Sequence, residues 1–232
     1  MEAKTEKNQA KKTLEQMKAA KPSIDLIRAY IENRFAVVPF RITDYDENEK
    51  KWIKDTLYPW KKVGAKTNTN GLEQWYEKWF IENDYSLISA VAEKSGLLVI
   101  DYDDYKKGGA EGKQVFIDKY NPPDTLTVTS LNGGTHHYFL TDEETVRALG
   151  AEENTDIIGA GNIILPDGNH YHIDGVEPME SPEHIRAAAA PMPERWVSLF
   201  KEENAKKENA KKESGAPAKF NITEEPPSHA DI

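Results

Sequence analysis

Two aspartates one residue apart end an apolar stretch of the sequence. The run from Leu97 to Ile100 predicts a buried strand, and Asp101 and Asp103 follow it directly. Because side chains alternate along a strand, the two carboxylates share one face and Tyr102 points away from it. Carboxylates on one face repel each other unless a cation lies between them, so the pair predicts a site for a hard divalent metal. A strand running into an acidic, solvated loop is the other interpretation that the motif alone allows.

A glycine-containing hairpin follows further along the chain. Residues 125–130 alternate between apolar and polar types and predict a strand. The turn contains Asn132, Gly133 and Gly134, and His136 stands at the start of the returning strand. Two glycines let the backbone approach a ligand closely and offer N–H groups to an anion, and a histidine beside them can donate to a phosphate. An ordinary turn is the alternative interpretation of the glycine pair.

A third carboxylate, Asp156, lies in a predicted strand before the glycine-rich residues 159–161. Three carboxylates, a glycine loop and a donor are the groups that two-metal nucleotidyl transfer requires. In that chemistry, two cations about 3.5–4 Å apart bind the triphosphate and activate a 3′-hydroxyl. His170 and His172 also share a strand face and form a weaker metal candidate, since no third ligand is near them in the sequence. For His137 we expect a packing or surface role.

The composition limits the classes of protein to which these residues can belong. The chain has 232 residues, 38% of them hydrophobic, which is enough for one large domain or two small ones. The absence of cysteine excludes disulfides and cysteine-ligated zinc. No apolar run approaches the roughly 18 residues of a membrane span, and the lysine-rich start lacks the apolar core of a secretory signal. We therefore expect a cytoplasmic protein without a membrane partner.

The order of the predicted elements indicates an α+β fold. We predict a charged N-terminal arm at 1–21, a catalytic domain at 22–203 and a flexible charged tail at 204–232. The predicted strands lie at 35–40, 85–91, 97–103, 125–130, 135–140, 154–158, 162–165 and 170–174. The predicted helices begin after Ser23 and lie at 72–80, 110–120, 142–149, 182–190 and 193–204. The strands at 85–91 and 97–103 are expected to form a hairpin.

The irregular segment at 44–66 combines lysines with aromatic residues. It contains Lys61 and Lys62 beside Trp60, and basic and aromatic side chains together suit phosphates and stacked bases. These two lysines are therefore the candidate template-binding residues, although scattered lysines usually belong to a solvated loop. The formal net charge of −10 opposes strong non-specific binding of nucleic acid. We therefore expect weak DNA affinity from this domain alone and a helicase or DNA-binding partner that supplies further contact.

The motifs together resemble the bifunctional primase-polymerase domain of the archaeo-eukaryotic primase superfamily, whose members are common on plasmids, phages and integrated elements. The resemblance lies in Leu98–Asp103, in Thr125–Phe139 with its Asn-Gly-Gly-Thr-His sequence, and in Thr155–Gly159. It covers roughly residues 24–178, and its motifs are specific as a set and weak singly. By this resemblance the fold is α+β, with a small RRM-like catalytic sheet packed against an N-terminal α/β portion and the site between them.

The resemblance also implies roles for particular residues. Asp101, Asp103 and Asp156 would be the catalytic metal ligands for Mg²⁺ or Mn²⁺. His136 and the segment 132–134 (Asn132, Gly133 and Gly134) would bind the nucleoside triphosphate, and the second substrate would be single-stranded or primed DNA. Two departures weaken the match, because Asn132 stands where the family usually has serine and Thr135 where arginine is common.

Three functions compete at this point. The first is a template-directed nucleotidyltransferase, a DNA primase or polymerase or both, acting in replication of a plasmid, phage or integrated element. The second is a non-enzymatic replication initiation or adaptor protein on the same fold, against which the intact Asp101, Asp103, Asp156 and His136 argue. The third is a sugar-nucleotide glycosyltransferase. It would need a doubly wound nucleotide-binding half before the Asp-x-Asp motif, which the first 100 residues do not show.

Overall fold

The architecture of the protein combines antiparallel sheets with flanking helices. A computed structural model describes residues 14–46, 51–142 and 148–213. Two sheets, one of four strands and one of six, account for the strands of this part of the chain. Nearly all strand pairs are antiparallel, which confirms the α+β class; the pair of β6 with the short β10 is parallel.

The first sheet has the strand order β2-β1-β3-β9, so β2 is an edge strand. Strand β1 is long because it pairs with β3 through its first half and with β2 through its second half. A register shift interrupts the β1–β2 pairing between Ile42 and Asp44. The strands are β1 (Val37–Asp46), β2 (Lys51–Asp55), β3 (Leu87–Val91) and β9 (Asn162–Ile164).

The second sheet has β4 at its centre, between β6 and β8. The order is β10-β6-β4-β8-β7, and β5 also pairs with β6. This arrangement places the predicted acidic strand between the predicted histidine strand and the strand of the third carboxylate. The strands are β4 (Leu97–Tyr102), β5 (Leu126–Thr129), β6 (Thr135–Leu140), β7 (Ala148–Glu152), β8 (Thr155–Ile158) and β10 (Ala190–Pro191).

The helices cover both sheets. Ser23 caps α2 by accepting a hydrogen bond from the Leu26 N–H, as the sequence predicts. The helix at 72–80 is confirmed as an α-helix that continues as a π-helix. The helical elements are α1 (14–19), α2 (Ile24–Glu32), α3 (Trp60–Val63), α4 (Leu72–Tyr76), the π-helix Glu77–Glu82, α5 (Ala92–Ser95), α6 (Gly109–Tyr120), the 3₁₀ turn Pro178–Glu180, α7 (Ser181–Ala188) and α8 (Glu194–Glu213).

The two faces of β4 belong to different hydrophobic clusters. Leu97 and Val99 are buried with residues of the first sheet and α2. Leu98 and Ile100 are buried with aromatic residues of α6 and α8, including Trp196. Both faces of the strand are therefore covered, which explains why its sequence is continuously apolar. Asp101 continues the face that is turned toward the first sheet.

Several predicted elements differ from the structure. Part of the segment at 44–66, expected to be irregular, forms β2 and α3. The predicted hairpin of 85–91 with 97–103 is wrong, because α5 intervenes and the two strands belong to different sheets. The predicted strand 170–174 is reduced to a single bridge between Thr129 and His172. Residues 148–149 of the predicted helix 142–149 begin β7, and residues 143–147 lie outside the described part of the chain.

Helical structure is also present outside the predicted domain limits of 22 and 203. Leu14 and Met17 of α1 pack against the main core, and α8 continues to Glu213. Residues 1–13 of the predicted arm and 214–232 of the predicted tail lie outside the described residues. No helix in the described part of the chain is long and apolar enough to cross a membrane.

Candidate active site

Three neighbouring strands bring the central candidate residues side by side. In the pairing of β4 with β6, Asp101 stands opposite His136, and in the pairing of β4 with β8 it stands opposite Asp156. Directly opposed residues of antiparallel strands have side chains on the same face. The structure therefore places Asp156, Asp101 and His136 in one row across the second sheet, on the face turned toward the first sheet.

Asp101 and His136 interact directly at the middle of this row. His136 Nε2 lies 3.0 Å from Asp101 Oδ1, and the histidine side chain is almost fully buried. Burial acts to raise the pKa of Asp101. The His136 ring, through its charge and its hydrogen bond, and the cations Lys54 and Lys106 outweigh it and hold that pKa below its usual value. The Nδ1 atom of His136 is buried and has no hydrogen-bond partner among the described residues.

Asp103 lies just beyond the end of β4. Its N–H donates to the Asn154 carbonyl at 2.9 Å, so the backbone continues in the direction of the strand. Its carboxylate forms an ion pair with Lys106. The Tyr105 hydroxyl also hydrogen-bonds to Asp103, and burial together with the negative charge of Asp103 raises the pKa of Tyr105. Asp103 is thus already held by protein donors.

Asp104 belongs to the opposite face of the sheet. It pairs with Lys113 of α6 at 3.0 Å and accepts a hydrogen bond from the Thr135 hydroxyl at 3.1 Å. His137 also lies on that face, with its ring 4.8 Å from that of Tyr102. Burial and the positive charge of Lys113 lower the pKa of His137 to about 4. His137 is thus a neutral packing residue, as expected, and the alternation that favours Asp103 over Asp104 agrees with the contacts.

The glycine loop has more internal structure than the sequence indicates. The Gly133 N–H donates to the Ser130 carbonyl at 2.9 Å, so it closes the turn and is not directed at an anion. Gly133 has a φ of +86°, which favours glycine. A Cβ atom on Gly134 would lie 2.6 Å from the Tyr102 carbonyl oxygen, so only glycine fits there. Asn132 Oδ1 accepts from the Trp52 N–H at 3.0 Å, which ties the loop to β2.

Two residues that the sequence analysis did not place in the site complete it. Lys54 of β2 extends from the first sheet, and its Nζ donates to the Tyr171 hydroxyl at 2.6 Å. The Tyr171 ring lies 5.3 Å from the ring of His136. Burial lowers the pKa of Lys54, while the negative charges of Asp101 and Asp103 partly offset that effect. Lys54 was one of several lysines in the segment 44–66, which was expected to be irregular, so nothing in the sequence indicated that its side chain points toward the carboxylates.

The other candidate residues lie apart from the row. Lys61 and Lys62 of α3 are both exposed, and neither contacts the carboxylates within the described ranges. His170 is buried; its Nδ1 lies 2.6 Å from Asp167 Oδ2 and its Nε2 lies 2.9 Å from the Met17 carbonyl oxygen. His172 is exposed and lies 3.3 Å from Asp174. The two histidines therefore have separate partners and do not converge on a metal.

The residues of the row fit a divalent metal in the kind of donor that they offer. Carboxylate oxygens are the ligands that Mg²⁺ and Mn²⁺ prefer. As the side chains stand, no three His, Asp or Glu side chains of the described residues are grouped closely enough to hold an ion. Asp101 and Asp103 are engaged with His136 and Lys106 instead. A metal would require these carboxylates to exchange their present partners.

The sequence of the chain matches a known protein family. The sequence model described as bifunctional DNA primase/polymerase, N-terminal, matches residues 27–195 of the 232. The matched range contains every residue of the row together with Lys54 and the glycine loop. No curated protein matches the chain. The family match argues against the glycosyltransferase alternative.

Proposed function

This chain belongs to the bifunctional DNA primase/polymerase family, and we propose that it is a template-directed nucleotidyltransferase that makes primers, extends them, or does both. The observation that carries the proposal is the row of Asp156, Asp101 and His136 on one face of the second sheet. In this row, two carboxylates and a histidine that could donate a hydrogen bond to a phosphate come together from three separate strands. We also propose the domain limits of 22–203 for the catalytic unit.

Within this function, Asp101, Asp103 and Asp156 are the ligands for Mg²⁺ or Mn²⁺. When bound, the two cations would activate the 3′-hydroxyl and neutralise the triphosphate. Asp101 and Asp156 come from two adjacent strands, so the sheet fixes their relative positions, and Asp103 follows the end of β4. In the structure as it stands, Asp103 pairs with Lys106 and Asp101 contacts His136, and the pKa of Asp101 is held below its usual value, which favours the carboxylate form that binds metal.

His136 and the loop Asn132–Gly134 are the proposed nucleotide-binding residues. His136 Nδ1 has no partner among the described residues, and Nε2 becomes available when Asp101 turns to a metal. A phosphate oxygen is a suitable acceptor for either nitrogen. The Gly133 N–H is already used in the turn and is not free to bind a phosphate. The proposed role of the loop is therefore to let the nucleotide come close to the backbone, because the glycines carry no side chains.

Lys61 and Lys62 are the proposed template-binding residues. They are exposed on α3, next to Trp60, and the Lys61 ammonium lies 5.7 Å from the centre of the Trp60 ring. An exposed pair of cations beside an indole suits the backbone and bases of a single strand. The net negative charge of the chain keeps its affinity for DNA low, so we propose that a replicative helicase or another DNA-binding partner supplies further contact. We also propose a role in replication of a mobile element.

The test is nucleotide incorporation by the purified chain. Primed and unprimed single-stranded templates are incubated with Mg²⁺ or Mn²⁺ and with either ribonucleotides or deoxyribonucleotides. Product that lengthens with time and depends on template is expected, and synthesis without a primer would identify primase activity. A complete absence of product under all eight combinations would contradict the enzymatic function.

One observation favours the second candidate, a non-enzymatic initiation or adaptor protein. Asp101 and Asp103 are engaged by His136 and Lys106, and no ready-formed metal cluster is present in the described part of the chain. In that case the row would be a structural ion-pair network. Template binding without incorporation, together with unchanged template binding in Asp101→Asn, would support this candidate over the enzyme.

A further inference from the structure

Lys54 is directed from the first sheet into the space beside the carboxylates. It stands opposite Ile42 in the pairing of β2 with β1. Directly opposed residues share a face, and Ile42 is buried in the main core between the sheets. Lys54 therefore points inward from the edge strand β2.

The ammonium of Lys54 has unused donors. It makes one hydrogen bond, to the Tyr171 hydroxyl at 2.6 Å, and it has no other hydrogen-bond partner and no ion pair within the described ranges. A lysine carries three N–H donors, so two remain. The negative charges of Asp101 and Asp103 act on this ammonium, but neither carboxylate is bonded to it. Holding a partly satisfied cation in a half-buried position costs free energy, and an anion that binds there offsets that cost.

We infer that Lys54 is a further nucleotide-binding residue, whose Nζ binds a non-bridging phosphate oxygen of the incoming nucleoside triphosphate. The inference rests on the proposed function, because it takes the substrate from it. The chemical class recognised is a polyphosphate anion, and the contact comes from the first sheet while the carboxylates come from the second.

The charge balance of the site supports this role. A triphosphate placed beside three carboxylates brings more negative charge than two divalent cations neutralise, so protein cations must supply the remainder. Lys106 and Lys113 are paired with Asp103 and Asp104. Lys54 lies near the carboxylates without being paired to one among the described residues. A lysine acts as a compact point charge with rotatable donors, which suits a phosphate oxygen.

The hydroxyl of Tyr171 fixes the direction of the ammonium. Asp167 accepts hydrogen bonds from the backbone N–H groups of His170 at 2.7 Å and Tyr171 at 3.2 Å, so the backbone at Tyr171 is anchored. The Tyr171 ring lies beside both His136 and Lys54, with the ammonium 5.2 Å from the ring centre. Tyr171 is thus a positioning residue that keeps two proposed phosphate-binding side chains next to each other.

The experiment compares Lys54→Met, which keeps the length of the side chain and removes its charge, with Lys54→Arg, which keeps the charge. Lys94→Met is the matched control, because Lys94 is exposed on α5, which precedes β4 at the end away from the carboxylates. Nucleotide affinity is measured by equilibrium binding with Mg²⁺ and no template, so that no turnover occurs. Template affinity and Tm are measured on the same proteins, and incorporation is measured for the wild type.

We expect Lys54→Met to weaken nucleotide binding roughly 10- to 100-fold, the range for losing a charge-assisted hydrogen bond. Template affinity should be unchanged, Tm equal or higher, and Lys54→Arg should recover part of the loss. Wild-type nucleotide affinity in Lys54→Met, or a loss confined to template binding, would overturn the inference while incorporation by the wild type still upheld the proposed function. Loss of nucleotide binding that follows a fall in Tm would show a structural role and also overturn it. A wild type that neither binds nor incorporates nucleotide would refute both.

Discussion

Replacing Asp101 separates its proposed metal role from its structural role. In Asp101→Ala, His136 loses the hydrogen bond from Nε2 to Oδ1, and its Nδ1 already has no partner among the described residues. The almost fully buried ring then has no hydrogen bond for either nitrogen. In Asp101→Asn, the amide oxygen still accepts from Nε2, while the negative charge is removed. Both variants remove the negative charge of Asp101 and so relieve its repulsion from Asp103 and Asp156. The difference between their melting temperatures therefore reports on the hydrogen bond to His136.

The size of that difference follows from the burial of the pair. Leaving the buried His136 donor without an acceptor costs about 1–3 kcal/mol, and the Asp101 side chain is 25% exposed, which favours the lower part of this range. For a domain of this size, each kcal/mol changes Tm by about 2–4 °C. We therefore expect Asp101→Ala to melt roughly 3–10 °C below Asp101→Asn. Both variants should lose nucleotide incorporation, because neither offers a carboxylate to the metal.

The assays are thermal unfolding and template-dependent incorporation, with the exposed Asp124→Asn as a control that should match the wild type in both. Incorporation by Asp101→Asn near the wild-type rate would refute the metal assignment. Equal melting temperatures for the two Asp101 variants would refute the contribution of the His136 bond.

The same pair predicts a dependence on pH. Because the pKa of Asp101 is lowered in the folded protein, its charged form stabilises the fold at pH values above the ordinary carboxyl value of 3.8. That contribution is lost as the pH falls through the lowered pKa. The wild type should therefore lose stability relative to Asp101→Asn only below about pH 3.8. If the difference in stability between the wild type and Asp101→Asn stayed constant down to the lowest pH, the lowered pKa of Asp101 would be contradicted.

Three further predictions concern other parts of the molecule. His136→Ala should raise the KM for nucleotide more than it weakens template binding; loss of template affinity alone would place the ring on the DNA. Charge reversal at Lys61 and Lys62 to Glu should weaken template binding and flatten its salt dependence by about 0.7 per lost contact on single strands, and an unchanged slope would exclude this surface. His170 donates to Asp167 and to the Met17 carbonyl, and although burial acts to lower its pKa, these bonds raise it. Its protonated form stabilises the fold below its unfolded pKa, and the effect disappears as the pH rises through the folded value, so His170→Asn should lower Tm more at pH 6 than at pH 9. An equal decrease in Tm at both pH values would refute the protonated state of His170.

Alternation along β4 is the reason that the face of Asp101 could be predicted from the sequence. Asp101 lies two residues after Val99, and both face the first sheet, as the period of two requires. The apolar run of β4 also predicted that both faces would be covered. The sequence could not predict which strands pair, since pairing depends on contacts far apart in the chain. The position of Asp156 opposite Asp101 therefore emerges only from the fold.

Lys54 and Tyr171 show where sequence patterns carry too little information. The sequence of β2, with Lys51, Trp52, Ile53, Lys54 and Asp55, has no clean alternation, because an edge strand with one face on a site mixes polar and apolar residues on both faces. Tyr171 lies in a segment that was expected to be a strand but makes only one bridge. Its place in the site depends on the hydrogen bond that its backbone N–H donates to the Asp167 side chain, and such a bond has no periodic signature.

The relative register of β1 and β2 determines whether the first sheet contributes charge to the site. Lys54 stands opposite Ile42, immediately before the shift in register between Ile42 and Asp44. Because side chains alternate, a displacement of β2 by one residue would turn Lys54 to the other face and leave the carboxylates without that cation. The Trp52 N–H donates to the Asn132 side chain, so the glycine loop of the second sheet holds β2 in this register. Asn132 therefore links the loop beside His136 to the strand that carries Lys54. Serine, the residue that the family resemblance leads one to expect here, has a shorter side chain that would reach less far toward the Trp52 N–H.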